Sequence, residues 1–121
     1  MRRHSLIAWF ASVAVACSAA LPARAQPPAP REGDYVVRGF RFASGDTLPE
    51  LRLHYLTLGT PARGAKGEIT NAVLILHGTG GSGRQFLSPQ FAGVLYGPGA
   101  PLDTTRFWLI LPDALGHPRS G

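Results

Sequence analysis

Two runs of consecutive apolar residues, AVLIL at 72–76 and FWLIL at 107–111, limit the possible folds more than any other feature of the chain. Neither run alternates with polar residues, which is the pattern of strands covered on both faces, as in parallel sheets. Thirty residues separate them, about the length of a βαβ crossover. Pro89 fits a first helical turn but not an interior, so the crossover helix is predicted to be short, 89–96, and closed by GPGAP at 97–101. Upstream, the β-rich runs 35–42 and 51–58 flank a turn-rich segment containing Ser44, Gly45, Asp46 and Pro49. They read as an antiparallel hairpin with a long loop. In the second run Leu51, Leu53 and Tyr55 alternate with Arg52 and His54, which predicts a wetter face on the side of Arg52 and His54. The expected architecture is α/β: an N-terminal β-hairpin leading into a mostly parallel sheet.

The first 25 residues are of a different kind. Arg2 and Arg3 give a basic start, 6–21 is almost wholly apolar or small, and Ala23 and Ala25 flank Arg24 in a small-x-small pattern. This is the layout of a cleavable secretory signal, with cleavage expected after Ala25. Pro22 breaks the apolar run and no stop-transfer flank follows, so no lasting membrane span is expected. Cys17 could mark lipid attachment instead, but the position three residues upstream is Ala14 where a leucine is usual. The domain plan is then a signal peptide at 1–25, a Pro-rich linker at 26–33, and a folded portion at 34–121, in a periplasmic or secreted protein.

Export changes the charge argument. The chain has 12 basic and 7 acidic side chains, and Arg2, Arg3 and Arg24 lie in the signal; 9 basic against 7 acidic residues remain, a net charge of +2. That is too little to imply a nucleic-acid partner. The sole cysteine leaves with the signal, which excludes a disulfide, a thiol nucleophile and a Cys-based metal site from the mature chain. His4, His54, His77 and His117 are too scattered to suggest a metal cluster.

The first apolar run ends in LHGTGGSGRQF, which fits three templates. Gly78, Gly80 and Gly83 satisfy G-x-G-x-x-G, and Gly78 and Gly83 have the spacing of a phosphate loop. That loop needs a lysine and a magnesium-binding hydroxyl next, where this chain has Arg84 and Gln85. A dinucleotide fingerprint needs a helix opening directly from the glycines and an acid about 20 residues on. Asp103 precedes the next apolar run, Asp113 follows it too late, and Pro89 disturbs the helix. The third template, the His-Gly turn of serine hydrolases, needs only backbone N–H groups held toward a developing oxyanion. A glycine turn that merely reverses the chain remains the bland alternative.

VLILHGTGGSG, followed by YGPGAPLDTTRFWLILPDALGHPRSG, resembles the N-terminal part of an α/β-hydrolase, and more narrowly the homoserine O-acetyltransferase-like branch; YLTLGT at 55–60 fits the same branch. The resemblance covers about residues 34–121. It implies that the backbone N–H of Thr79 is the oxyanion donor of this loop, with Gly78 and Gly80 shaping the turn. It implies an acyl-serine mechanism on a small-molecule ester or acyl substrate, with no cofactor and no metal. The loop is more Gly-rich than in true homoserine acetyltransferases, which favours a hydrolase on the same scaffold.

The serine of this fold sits in G-x-S-x-G, which does not occur here. Gly80, Gly81, Ser82 and Gly83 begin such a motif, but Arg84 ends it. Asp113, His117 and Ser120 form a sequence trio that Gly116 and Pro118 keep from lying on one helix, and His117 reads as a loop residue. His77 reads as a strand-end residue that orients the turn. No catalytic triad is expected within these residues. The sequence reads as a fragment ending before the nucleophile elbow, inactive by itself. The competing reading is a small exported binding or interaction module without catalysis.

Overall fold

A computed structural model describes residues 29–121. The expected signal peptide and most of the expected linker lie outside the described residues. Four strands form one mixed sheet in the order β1-β2-β4-β3: β1 is Arg31–Arg41, β2 is Thr47–Leu58, β3 is Ala72–Leu74 and β4 is Trp108–Pro112. Between β3 and β4 come a 3-10 turn, Gly83–Leu87, and helix α1, Pro89–Leu95.

The hairpin forms as the alternation predicts, with β1 antiparallel to β2 from Arg31↔Thr57 to Arg41↔Thr47. Strand pairing therefore takes in 31–33, the end of the segment read as linker. The loop is shorter than expected, because the strands run on to a tight turn closed by Phe42 N–H donating to Asp46 C=O, 2.9 Å. Pro49 is accommodated inside β2: the pairing skips from Arg38↔Glu50 to Phe40↔Leu48, where proline has no N–H to offer. On its other side, β2 pairs antiparallel with β4 over Tyr55–Leu58. β3 and β4 are parallel, with Val73 opposite Leu109, and Ile75 N–H extends the ladder to Ile110 C=O at 3.0 Å. The β3–α1–β4 crossover predicted from the two apolar runs is present, and α1 occupies the predicted position with Pro89 in its first turn.

The core lies between one face of this sheet and the crossover: Leu56, Leu58, Leu109 and Leu111 meet Phe86, Ala92 and Tyr96. Two expectations are corrected here. The first apolar run is not covered on both faces: Val73 and Ile75 pack against the core, whereas Leu74 and Leu76 are 59% and 68% exposed. Among the described residues, helical structure covers only one side of the strand. From His54 onward the supposedly wet face of β2 is the inner one, while Arg52 on the same face stays exposed. His54 shares it with Leu56 and Leu58 and is buried, because Asp34 Oδ1 lies 3.0 Å from its Nδ1 and Arg119 lies 3.4 Å from its Nε2. A satisfied polar side chain can continue an apolar face.

The segment from Gly97 to Phe107 is a closed turn system that seats α1 on β4. Leu102 N–H reaches back to Leu95 C=O and Thr104 N–H to Tyr96 C=O. Asp103, buried, accepts from Gly99 N–H and Thr105 N–H, each at 2.8 Å, and from the Thr105 hydroxyl at 2.6 Å. The Thr105 hydroxyl, then those N–H groups, hold its carboxyl below the usual carboxylate range. The YLTLGT stretch meets this turn: Gly59 sits so close to the carbonyls of Phe107 and Thr104 that a Cβ would overlap them. Two of the stretches that carry the family resemblance are thus one packing unit.

Candidate active site

The glycine stretch leaves the C-terminal end of β3, where a parallel strand delivers its loop to the top of the sheet. Gly81 N–H donates to Gly78 C=O at 3.0 Å, closing a four-residue turn with Gly80 in its third position at φ +76°. A type II turn requires a positive φ there, and a side chain makes it costly. The N–H groups of the two central residues, Thr79 and Gly80, take no part in the closing bond. Thr79 is exposed, and its N–H has no partner among the described residues.

His77 fixes that turn. Its Nδ1 lies 2.8 Å from Gly78 C=O, and its Nε2 accepts the N–H of Ala114 at 2.9 Å. Nε2 therefore carries the lone pair, and Nδ1–H donates to the carbonyl. Gly78 C=O is held by two donors, Gly81 N–H and His77 Nδ1–H. Because the peptide is planar and trans, fixing the Gly78 carbonyl also fixes the direction of the Thr79 N–H, which points the opposite way. The strand-end histidine orients the turn, as its position suggested.

A second anchor holds the far end of the loop. Gly83 N–H donates to Asp113 Oδ1 at 2.8 Å, and Gly83 lies so tightly on β4 that a Cβ would overlap the carbonyl oxygen of Leu111. Gly78 is under neither constraint: a Cβ there meets nothing within 4 Å, and its φ is not positive. Helix α1 opens only at Pro89, after the 3-10 turn, so no helix N-terminus faces the glycines as a dinucleotide site needs.

An open pocket lies beside the loop, lined by Gly80, Gly81, Ser82, Arg84, Gln85 and His117. Gly80 is in its wall; Thr79 and Gly78 precede the wall. Of the sequence trio, Asp113 and His117 come together, with Asp113 Oδ2 3.2 Å from His117 Nδ1. Ser120 does not join them. It is buried, and its Oγ accepts the N–H of His54 at 3.0 Å. Arg84, in the 3-10 turn, is paired with Glu32 of β1. Sequence reasoning missed both Asp113–Gly83 and Arg84–Glu32, since they join residues 30 and 52 positions apart. Among the described residues, no group of three His, Cys, Asp or Glu side chains could hold a metal ion, and no helix is long and apolar enough to cross a membrane.

No protein-family model matches the chain. Homoserine O-acetyltransferase from Leifsonia xyli subsp. xyli is 36% identical over 91 residues, which is 66% of this chain and 21% of that protein. The crystal structure of homoserine O-acetyltransferase from Bacillus anthracis superposes with a TM-score of 0.53 at 22% identity, covering 69% of this chain and 23% of that one. Esterase E22 gives a TM-score of 0.57 at 21% identity, covering 77% and 27%. The chain carries part of an α/β-hydrolase fold. Within that fold it resembles the homoserine O-acetyltransferase-like branch. It spans about a fifth of the length of the curated relative.

Proposed function

We propose that this chain supplies one wall of the acyl site of a serine-type α/β-hydrolase-fold enzyme, an ester hydrolase or a related acyltransferase. The observation that carries the reading is the Gly78–Gly81 turn, whose carbonyl end is doubly held while the Thr79 N–H stays unpaired among the described residues. A serine from outside these 121 residues would attack the substrate carbonyl. Negative charge would gather on the carbonyl oxygen, and the Thr79 N–H would donate to it, the second donor following the nucleophile. Collapse of that intermediate would expel the alcohol with a proton and leave an acyl-serine. Water would then complete hydrolysis, and an acceptor alcohol would complete transfer. Preorganisation makes such a donor effective, because its orientation is fixed before charge develops. The curated relative and the solved esterase support both outcomes, and the glycine-rich loop favours hydrolysis.

The experiment is acyl turnover by the full-length protein with p-nitrophenyl acetate, first alone and then with an added acceptor alcohol. Release of nitrophenol with free acetate supports a hydrolase; release with acetyl ester of the alcohol supports a transferase. Folded protein that does neither, and takes no label from a serine-directed phosphonate, would favour the non-catalytic binding module.

Export belongs to the same proposal: the basic start, the apolar run and the pattern at Ala23 and Ala25 support cleavage after Ala25 and residence in the periplasm or medium. N-terminal sequencing of the mature protein should begin at Gln26. A cytoplasmic product retaining Met1 would refute it.

A further inference from the structure

The glycine-rich loop runs into a charge that the acyl chemistry leaves unused. Arg84, in the 3-10 turn, stands where a phosphate loop would carry its lysine. It lines the open pocket with Gly80, Gly81, Ser82, Gln85 and His117, and it alone of these carries a permanent charge. That charge is answered from far away in sequence. Glu32, at the start of β1, pairs its Oε1 with the Arg84 guanidinium, and its Oε2 lies 3.8 Å from Arg119 Nη1 and 3.9 Å from His54 Nε2. The neighbouring carboxylates have partners of their own: Asp34 lies against His54 Nδ1, and Asp113 accepts Gly83 N–H and lies 3.2 Å from His117 Nδ1. One carboxylate is thus shared by two guanidinium groups, those of Arg84 and Arg119. The Glu32 and Arg84 side chains are 46% and 50% exposed, so their pairing adds little to stability. Its consequence is the field at the pocket, since a ligand charge senses a guanidinium beside it over several Å.

We infer that Glu32 sets the charge selectivity of the site: by neutralising Arg84 it makes the pocket favour uncharged ester or acyl substrates over substrates that carry a carboxylate. The inference rests on the acyl-site reading, which brings the substrate into this pocket. Glu32 is a positioning residue; it touches no substrate and acts through Arg84. An anionic substrate must either approach the guanidinium with the like charge of Glu32 still beside it or break the pair, and both routes disfavour it. Without Glu32 the same guanidinium, a natural partner for carboxylates, would attract that anion.

The test compares two aryl acetates that differ by one charge, 4-acetoxybenzoate and methyl 4-acetoxybenzoate, in the full-length protein. In Glu32→Gln, the ratio of kcat/KM for the anionic ester to that for the neutral one should rise roughly threefold to tenfold at low salt, the scale of one charge several Å away near a protein surface. The gain should largely vanish at about 1 M salt, where the Debye length is about 3 Å. Arg84→Gln, which leaves Glu32 without that partner, should move the ratio the opposite way. A merely structural role would lower the turnover of both esters together. An unchanged ratio in either variant, a shift of the same sign in both, or a gain that survives high salt would overturn the proposal. If the wild type turns over neither ester, the acyl-site reading fails, and calorimetric titration with 4-hydroxybenzoate and its methyl ester decides the charge selectivity alone. Glu32→Gln should then bind the anion more tightly than the wild type does; equal affinities would refute the role of Glu32.

Discussion

The chain contains two loops that begin in glycine turns, 78–83 and 97–107, and they behave in opposite ways. In 97–107 the turn closes on itself: Asp103 gathers three donors, and backbone bonds tie the segment to α1. In 78–83 only the two ends are tied, to His77 and to Asp113, and the central N–H groups stay outside the turn's own bond. The central N–H groups of 78–83 are exposed, so they are open to a partner that the turn itself does not supply. Loop 97–107 supports α1, whereas loop 78–83 leaves its central donors exposed. The placement of the fixed carbonyls and carboxylates sets them apart.

Substitutions can break this contrast, beginning with the largest expected effect. Gly83→Ala places a methyl against the Leu111 carbonyl and should cost about 3–5 kcal/mol or prevent folding, as read by denaturant melting of the full-length protein. Gly80→Ala, in the same loop, meets no atom within 4 Å and suffers only its positive φ, so it should cost about 1–2 kcal/mol. Equal losses at the two positions would mean that the seating on β4 is not what holds the loop.

Asp103→Ala attacks the supporting loop and should lower stability by removing the acceptor of three hydrogen bonds, from Gly99 N–H, Thr105 N–H and the Thr105 hydroxyl. The kcat/KM of the protein that remains folded should not change. Its pH signature follows from the lowered pKa. The folded carboxyl gives up its proton more readily than the unfolded one, so its stabilisation is full above the unfolded value of about 3.9 and is lost as pH falls through the lower folded value. Wild type and Asp103→Ala should therefore converge in stability in acid, and a constant difference would contradict this.

The smallest effect is expected at Tyr96. Its hydroxyl is buried without a hydrogen-bond partner among the described residues, and burial pushes its pKa up to about 12. Tyr96→Phe removes that unpaired group and should leave stability unchanged or raise it by about 1 kcal/mol. In the wild type, the raised pKa means stability is intact below the unfolded value of about 10 and declines as pH rises from there toward 12; Tyr96→Phe should lack that alkaline decline.

The reach of sequence reasoning follows the same contrast. Strands, crossover and short helix were legible because each is set by neighbours in sequence: two apolar runs, Pro89 in a first turn, and alternation in the hairpin. The inward face of β2 was not, because alternation around Arg52 and His54 shows that two faces differ without showing which is covered. His54 is buried by Asp34 and Arg119, 20 and 65 residues away in sequence. The glycine turn was readable in outline through His77 and Gly80. Its second anchor was not, since nothing near Gly83 in sequence points to Asp113. The pairing of Asp113 with His117 was visible only as spacing, and Ser120 shows how spacing misleads, its hydroxyl being taken by the backbone of His54.

The central claim is that Thr79 acts through its backbone N–H. Thr79→Pro deletes that donor, whereas Thr79→Ala keeps it and removes only the side chain. In the full-length protein, with folding checked by circular dichroism, the account predicts a fall in kcat of about 10²–10³ for Thr79→Pro, the scale of one lost oxyanion donor, and little change for Thr79→Ala. Equal losses in the two variants would assign the effect to the threonine side chain and contradict the account.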